Sequence, residues 1–479
     1  MNLHPKWIAA IAIAVAAAGL AGCAHFDERT PPVAMRNAAS LGTEAIAIDW
    51  PRDAWWQRYG DPQLDALMTE ALAGNPSLAI ARARVARATA AAGVAQSALL
   101  PRLNGNAAAD YQRFSENYIY PPPYAGSWRS DTRATLDFTY EFDFWNKNGA
   151  ALEAALSQEQ AATADAQQAR VIVTTALAHA YFELQRLYAQ RDVSTAAIAQ
   201  RDEVVRITRQ RFDAGLDTKV EVKQAEGALA TVRTELAQYN GMINAARNQV
   251  AALVGAGPDR GAMVAAHASG GAGIAARPAA IPLDLVAHRA DVTASRWRVE
   301  AARHDVDVAQ AMFYPNVDIA AFAGLSSIGF ASFFSGGSLI AGIAPAIHLP
   351  IFEGGRLNAN LQGRDADADV AVGAYNQSVI EAVHEVADVL SGMDGLAKVR
   401  VEQAVAREAT TDAYNIAVIR YRAGLGNYLT VLTAQTQQLV QDRLDADIHA
   451  RAFELDVNLV RALGGGYADP APVTAAAAR

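Results

Sequence analysis

Two motifs recur in the two halves of the chain, in the same order. The first, Ala-Gln followed by proline five residues after the glutamine, occurs at Ala95 and again at Ala309. The second, Arg-aromatic-x-Ala-Gly-Leu, occurs at Arg211 and again at Arg420. A chain that carries the same landmarks twice is built from two copies of one supersecondary unit. Any fold of this sequence must therefore contain two similar halves.

Each half predicts a long helical hairpin. From Ala150 to Ala214 there is neither proline nor glycine, and residues that favour helices dominate. Apolar residues follow one another at alternating spacings of four and three in both halves: Val173, Leu177, Ala180, Leu184 and Leu187, and Val379, Val383, Val386, Leu390 and Met393. This spacing is typical of coiled coils, in which one apolar seam faces a partner helix. An ordinary helical bundle has the same seam, so the helices alone do not distinguish such a bundle from a long coiled-coil hairpin. The strand patterns provide the evidence that separates the two.

One segment alternates with the period of a β-strand. Large apolar residues alternate with threonine, aspartate and glutamate from residue 135 to 144, and they are Leu136, Phe138, Tyr140, Phe142 and Phe144. Apolar residues on one face and polar residues on the other are typical of a strand that separates lipid from a polar interior. A soluble sandwich strand also alternates, but it seldom carries aromatics at nearly every apolar position.

Weaker strand patterns occur at residues 103–114, 317–325 and 339–349, so each half contributes one strand pair. Four strands cannot close around water, and an open sheet edge in hydrocarbon leaves backbone groups unpaired at several kcal/mol each. The sequence therefore predicts an oligomer. A trimer would supply twelve strands, and its long helices could continue the same tube.

The N-terminal stretch has the form of a lipoprotein signal. The apolar run from Trp7 to Leu20 is too short for a permanent membrane helix and precedes a small-residue lipobox that ends at Cys23. We expect residues 1–22 to be removed and Cys23, the one cysteine of the chain, to be lipidated; a buried free thiol is the alternative. Ala24, rather than an aspartate, follows it, which favours sorting to the outer membrane.

Together these residues resemble the TolC-like outer-membrane factors, most closely their lipoprotein branch of the OprM or NodT type. The resemblance covers nearly the whole mature chain and rests on the lipobox, the two turns and these further motifs: Trp55-Trp56, Tyr59-Gly60-Asp61-Pro62 with Leu64, Phe144-Trp145, and Pro350-Ile351-Phe352-Glu353-Gly354-Gly355. It implies a trimer with a twelve-stranded barrel in the outer membrane, a long periplasmic α-helical barrel, and an equatorial belt of linker and termini. Substrate would leave through the shared lumen.

The resemblance also implies partners. In the family the helix-turn-helix tips face a periplasmic adaptor that joins the channel to an inner-membrane pump, here expected to be of the RND type. The matching tip residues are Arg211, Ala214, Gly215, Leu216, Arg420, Ala423, Gly424 and Leu425. A glycine ends a long helix readily and lets another chain approach closely, although a plain turn between helices needs the glycine for geometry alone.

The stretch from Leu429 to Gln435 resembles the part that narrows the closed periplasmic mouth in relatives, with Leu429 and Thr433 facing the pore. Here the chain departs from the family, because aspartate is common at the place of Thr433 and sometimes at that of Thr430. We therefore expect closure to rest on the packing of Leu429 rather than on an acidic, cation-binding ring.

Patterns of catalysis and metal binding fail in detail. His384-Glu385 lies on a predicted helix, but no second histidine follows one turn later, so the zinc-protease pattern is incomplete. Asp365, Asp367 and Asp369 imitate a calcium loop that needs glycine where Val370 stands. No phosphate loop, nucleophile elbow or Cys-His pair occurs. We therefore expect no enzyme, no cofactor and no metal.

The expected organisation has six parts: signal peptide 1–22, N-terminal equatorial segment 23–74, first repeat 75–255, linker 256–282, second repeat 283–465 and tail 466–479, expected to be disordered. The net charge of −9 offers no extended basic surface, which excludes nucleic acid as a partner. Three functions fit: the exit duct of a small-molecule efflux pump, the outer-membrane component of a type I protein secretion system, and a structural lipoprotein bundle without a pore. The strand alternation and the resemblance favour the first.

Overall fold

The computed structural model describes residues 32–267, 274 and 276–468. The predicted signal peptide and Cys23 lie outside the described residues, as do residues 469–479 of the predicted tail.

The described chain consists mostly of helices, with four strands in one sheet. The elements are α1 Pro62–Gly74, α2 Pro76–Ser97, β1 Arg102–Arg113, β2 Trp128–Phe142, α3 Lys147–Asp213, α4 Lys219–Val254, α5 Pro258–Ala262, α6 Ala290–Ala311, β3 Asn316–Ile328, β4 Leu339–His348, α7 Arg356–Arg422 and α8 Tyr428–Ala462. Short 3-10 helices lie at Ala38–Leu41, Trp55–Tyr59, Leu283–His288, Phe330–Ser332 and Gly336–Ser338.

The same order of elements occurs twice. A helix of 22 residues, α2 or α6, leads into a strand pair, which a helix of 67 residues follows in both halves. The returning helices α4 and α8 have 36 and 35 residues. The predicted seams are buried from Val173 to Leu187 and from Val379 to Leu390, because these positions face neighbouring helices.

The four strands form one antiparallel sheet in the order β1-β2-β3-β4. Residues directly opposite each other in an antiparallel pair share a face. Phe138 lies opposite Leu103 and Ala321, and Ala321 lies opposite Ile343, so one face is apolar across the sheet. The other face carries most of the polar residues, among them Asn104, Arg133, Asp137, Glu141 and Asp318.

One expectation about a segment end was wrong. β2 ends at Phe142, so Phe144 lies beyond the strand, where its ring stacks on that of Phe142 at 5.8 Å. The linker contains the short helix α5, which begins at Pro258, because proline at the first helical position has no amide hydrogen to leave unpaired. Gly261 holds this helix against α4, since a Cβ there would lie 2.2 Å from the Arg247 carbonyl oxygen.

The chain divides into two compact units. The first includes residues 85–162 and 295–375, and contains the sheet and a small apolar cluster of Val306, Ala309, Phe313, Leu357 and Leu361. The second includes residues 36–84, 163–294 and the chain from 376 onward. Its largest core surrounds Tyr181 and Leu184 and receives Trp55, Trp56 and Tyr59.

No helix of the described part of the chain combines the length and the hydropathy that are needed to cross a bilayer.

Candidate functional site at the helical turns

The first predicted tip is the turn that joins α3 to α4 in the second unit. The Gly215 amide donates to the Phe212 carbonyl at 2.9 Å, and the Leu216 amide donates to the Arg211 carbonyl at 2.9 Å. These two bonds are the Schellman arrangement that ends a helix, and it requires the left-handed φ of 71° at Gly215. Thr218 then starts α4 with a capping box that is closed by Glu221.

The second predicted tip joins α7 to α8 in the same way. The Gly424 amide donates to the Tyr421 carbonyl at 3.1 Å, and the Leu425 amide donates to the Arg420 carbonyl at 2.8 Å. Gly424 has a φ of 75°. The Asn427 side chain caps α8 by accepting from the Thr430 amide. The repeated Ala-Gly-Leu motif therefore specifies the same turn in both halves.

Space is open around both glycines. A Cβ on Gly215 would have no described atom within 4 Å beyond its chain neighbours, and one on Gly424 would lie 3.9 Å from Arg211 Nη1. The backbone conformation, and not crowding inside the chain, is therefore what requires glycine. The neighbouring leucines project outward, with Leu216 65% and Leu425 69% exposed. Each turn thus presents an apolar side chain beside an uncrowded backbone.

The structure brings the two turns together through Arg211. Its Nη1 donates to the Tyr421 carbonyl at 3.0 Å, and its Nε donates to Asp217 Oδ2 at 2.9 Å. The guanidinium carbon lies 4.6 Å from the centre of the Tyr421 ring. The Tyr421 hydroxyl donates to Asp217, and its oxygen lies 3.3 Å from the Thr208 hydroxyl oxygen. We call Arg211, Asp217 and Tyr421 the tip link, because it ties the first helical hairpin to the second.

Sequence reasoning missed Asp217 and Tyr421. The available signal was the difference between the repeats: Tyr421 stands where the first repeat has Phe212. Tyr421 is buried and Phe212 is partly exposed. A hydroxyl at a core position indicates a buried acceptor, since an unpaired buried hydroxyl is costly.

The tip link changes the protonation of its members. Burial and the hydrogen bond to Asp217 raise the pKa of Tyr421 to about 12. Burial opposes ionisation of Asp217, but hydrogen bonds from Arg211 and Tyr421 outweigh it and lower the pKa of that carboxyl. The hydrogen bond with Asp217 raises the pKa of Arg211. At neutral pH the link is therefore a carboxylate held by a cation and a neutral hydroxyl.

The predicted gate residues lie at the start of α8. Leu429 is 62% exposed in the single chain. The Thr433 hydroxyl donates to the Leu429 carbonyl at 2.9 Å, and the Thr430 hydroxyl donates to Asn427 Oδ1 at 2.8 Å. Both threonine hydroxyls therefore donate their hydrogen to an acceptor in the preceding turn of the same chain.

Charged residues of the rejected motifs serve in contacts within each unit. Glu385 pairs with Arg289 at 2.6 Å and with Arg461 at 3.1 Å. Asp369 Oδ1 accepts from the Val33 amide at 3.1 Å. Among the residues that the structure describes, no group of His, Cys, Asp and Glu is arranged to hold a metal ion.

The fold places the protein in the class of outer-membrane channels. Its features are long helical hairpins that end in matched glycine turns and a small sheet that is apolar on one face. The structure of the outer membrane protein VceC from Vibrio cholerae matches with a TM-score of 0.81 at 40% identity, covering 87% of this chain and 100% of its own. The outer-membrane channel OprN matches with a TM-score of 0.80 at 27% identity, covering 93% of this chain and 99% of its own.

The family follows from the sequence comparisons. The model of the outer membrane efflux protein family matches residues 67–256 and 282–465, so the chain belongs to that family. The multidrug resistance outer membrane protein MdtP of Shigella flexneri is 31% identical over 88% of both chains. The fusaric acid resistance protein FusA of Burkholderia cepacia is 38% identical over 74% of this chain and 69% of its own. The chain is thus an outer-membrane channel of an efflux system, a non-enzymatic transporter type, which confirms the resemblance inferred from the sequence.

Proposed function

We propose that the chain forms a homotrimeric, passive exit duct of a tripartite pump and releases drugs or other small molecules from the cell. A periplasmic adaptor and an inner-membrane pump of the RND type are its partners. The observation that carries this proposal is the four-stranded sheet with one apolar face and two edge strands that have no neighbour in the described chain.

The sheet supports the trimer. Within the described residues, β1 pairs with β2 alone and β4 with β3 alone, so two rows of backbone groups lack partners. In hydrocarbon every such group costs several kcal/mol. β1 and β4 run antiparallel to each other, so β4 of one copy can pair with β1 of the next. Two copies would give a barrel of eight strands, and side chains fill the interior of a barrel of that size. Three copies give twelve strands and leave an open lumen.

The two faces of the sheet support a position in the membrane. The apolar face with Leu136, Phe138 and Ile343 contacts lipid, and the face with Arg133 and Asp137 lines the lumen, as in known outer-membrane barrels. The helical hairpins of the three copies continue the barrel as an α-helical barrel in the periplasm.

Lipidation of Cys23 anchors each copy in the outer-membrane lipid after removal of residues 1–22. Segment 23–74 and linker 256–282 contribute to an equatorial belt, repeats 75–255 and 283–465 each supply a helix, a strand pair and a long helical hairpin, and segment 466–479 forms the tail. The names of the relatives, multidrug resistance for MdtP and fusaric acid resistance for FusA, support small molecules as cargo over the proteins of a type I secretion system.

The two turns are the docking sites for the adaptor. Their glycines are uncrowded, their leucines are exposed, and Arg211 and Arg420 stand four residues before the glycines. The channel closes near the turns, where the Leu429 side chains of the three copies meet. Thr433 lies one helical turn further along α8 and faces the same pore.

Replacing Gly424 with leucine tests the docking site. The change adds bulk where the chain itself leaves room, so we expect loss of adaptor crosslinking and of drug resistance in a host strain whose own copy of the gene is deleted. Gly42→Leu is the matched control, because Gly42 has a similar left-handed φ of 78° and open space around its ideal Cβ but lies outside both turns.

Crosslinking and resistance at the wild-type level with Gly424→Leu would contradict the docking site. Equal losses with Gly42→Leu would show that strain at any left-handed glycine is harmful, and would also count against it.

A further inference from the structure

The core of the second unit is divided along its long helices. The large apolar cluster around Tyr181 and Leu184 lies at one level, and a second cluster, around Val204, Leu229 and Tyr421, lies near the turns. Between these levels, the residues that point into the helix interface are mostly polar: Gln190, Ser194 and Arg201 of α3, Glu235 of α4, and Gln435, Gln438 and Arg443 of α8. We call these seven residues the polar band.

The polar band occupies positions that a coiled coil normally fills with apolar side chains. Gln190, Ser194, Ala197, Arg201 and Val204 of α3 follow one another at spacings of four and three. Ser194 is 0% exposed, and Gln435 and Gln438 of α8 are also buried. Ala197, Val232 and Leu439 form a small apolar cluster within this interval. Five members of the band are thus buried in the helix interface, while Glu235 and Arg443 are half-buried at its edge.

Some members of the band are hydrogen-bonded across the helices. Gln190 Nε2 donates to the Arg443 carbonyl and to Asp447 Oδ1, both at 2.9 Å. Arg443 pairs with Glu235, and Arg201 Nη1 donates to the Ala228 carbonyl. Burial lowers the pKa of the Arg201 guanidinium, so this cation is held in an unfavourable place.

Other atoms of the band have no partner. Within the described chain, no group accepts from or donates to Ser194 Oγ, Arg201 Nε, Gln438 Oε1 or Arg443 Nε, whereas the Gln435 side chain is hydrogen-bonded to Tyr414. A buried polar atom without a partner destabilises the packing around it, and a half-satisfied network is weaker than an apolar core. The helices are therefore held less firmly at this level than at the apolar clusters on either side.

We propose that the polar band is the shear zone of the duct, the level at which α3 and α8 shift against each other when the turns open. The inference rests on the proposed function, because it presumes that the turns open. Close-packed apolar clusters resist small displacements and move as blocks. Polar groups with unused hydrogen-bonding capacity exchange partners during such a shift, so the cluster near the turns moves as one block against the cluster around Tyr181.

The polar band is not explained by a contribution to the stability of the fold. Buried charges are weak evidence for stability, and apolar replacements of them are often neutral or stabilising. Setting the register of the helices is the alternative role of buried polar residues in coiled coils. A register role predicts misassembly when the band is made apolar, whereas a shear zone predicts correct assembly with impaired opening.

The first test is the double change Ser194→Ala with Gln438→Leu, which removes two unpartnered atoms. We expect a normal oligomer, a melting temperature raised by on the order of 3 °C, and dye efflux from cells reduced roughly tenfold through a shift of the opening equilibrium. The matched control is Thr195→Ala with Gln437→Leu, which makes the same kinds of change at exposed neighbours and leaves efflux unchanged.

Normal efflux by the double variant overturns the proposal, and so does a lowered melting temperature or a misassembled oligomer. If the wild-type protein itself supports no efflux, the proposed function fails. If the wild type is active and the double variant equals it, this inference alone fails.

Hydrogen exchange of the wild-type protein gives a second test that needs no variant. Backbone amides at 190–201 and 435–443 should exchange at least roughly tenfold faster than those at 177–188, because local opening follows weak packing. Equal protection at the two levels overturns the proposal.

Discussion

Tyr421 is the residue through which the turns of the two helical hairpins are joined. Its carbonyl and ring contact Arg211, and its hydroxyl contacts Asp217. The first repeat has Phe212 at the matching position, and phenylalanine has no hydroxyl. The second turn therefore bonds to the first through Tyr421, without an equivalent bond from Phe212. The glycine turns were predictable because Gly215 and Gly424 follow long helices. The tip link was not, because it depends on which helix of the second hairpin packs beside the first.

Removing the Tyr421 hydroxyl should loosen the tip link. Tyr421→Phe keeps the ring over Arg211 but leaves Asp217 without this donor, and a hydrogen bond to a charged group contributes about 1.5 kcal/mol or more. We expect roughly tenfold more open channels in planar-bilayer recordings. Lys223→Gln is the control. It removes an exposed ion pair between Lys223 and Glu226, which lies inside α4 and does not link the two hairpins. Recordings identical to those of the wild type would show that the link does not hold the turns.

The same link predicts a pH dependence. Because the folded-state pKa of Asp217 is lowered, its contribution is fully present above the ordinary carboxyl pKa of about 4 and is lost as the pH falls further. Closure should therefore be constant between neutral pH and about pH 5 and should weaken below about pH 4. Tyr421→Phe should open more readily at neutral pH and respond less to acid. Opening that varies around pH 6 would point to a histidine and contradict this role.

Individual helices and strands were predictable where one periodicity covered the whole segment. The seams from Val173 to Leu187 and from Val379 to Leu390 are buried as their spacing predicts. Strand ends were harder, because the alternation continues to Phe144 although pairing stops at Phe142. The helix in the linker escaped notice because Gly-Pro at 257–258 reads as a loop, and packing of Gly261 against α4 decides otherwise.

The start of α8 carries the proposed gate. Leu429 is exposed in the single chain, and the nearby threonine hydroxyls are already bonded within the helix, so Leu429 is the group that can meet its copies in the proposed trimer. Leu429→Ala should raise single-channel conductance because the apolar ring widens. Val440→Ala, at another exposed apolar position of α8, should leave conductance unchanged. If both variants conduct like the wild type, the gate lies elsewhere.

At the scale of the whole molecule, assembly follows from what one chain lacks. A sheet of four strands has two open edges and one apolar face, and neither is satisfied inside the described chain. The sequence predicted this incompleteness from the strand count. The number of copies came from the family resemblance, because strand pairing alone requires closure without fixing how many chains close the ring.

The central claim is that three copies share one membrane-spanning wall. Its most direct test is the mass of the purified protein in detergent, measured together with conductance of the same sample in planar bilayers. We expect a particle of three chains that resists unheated detergent and forms a conducting pore. A monomer in detergent without conductance would contradict the account.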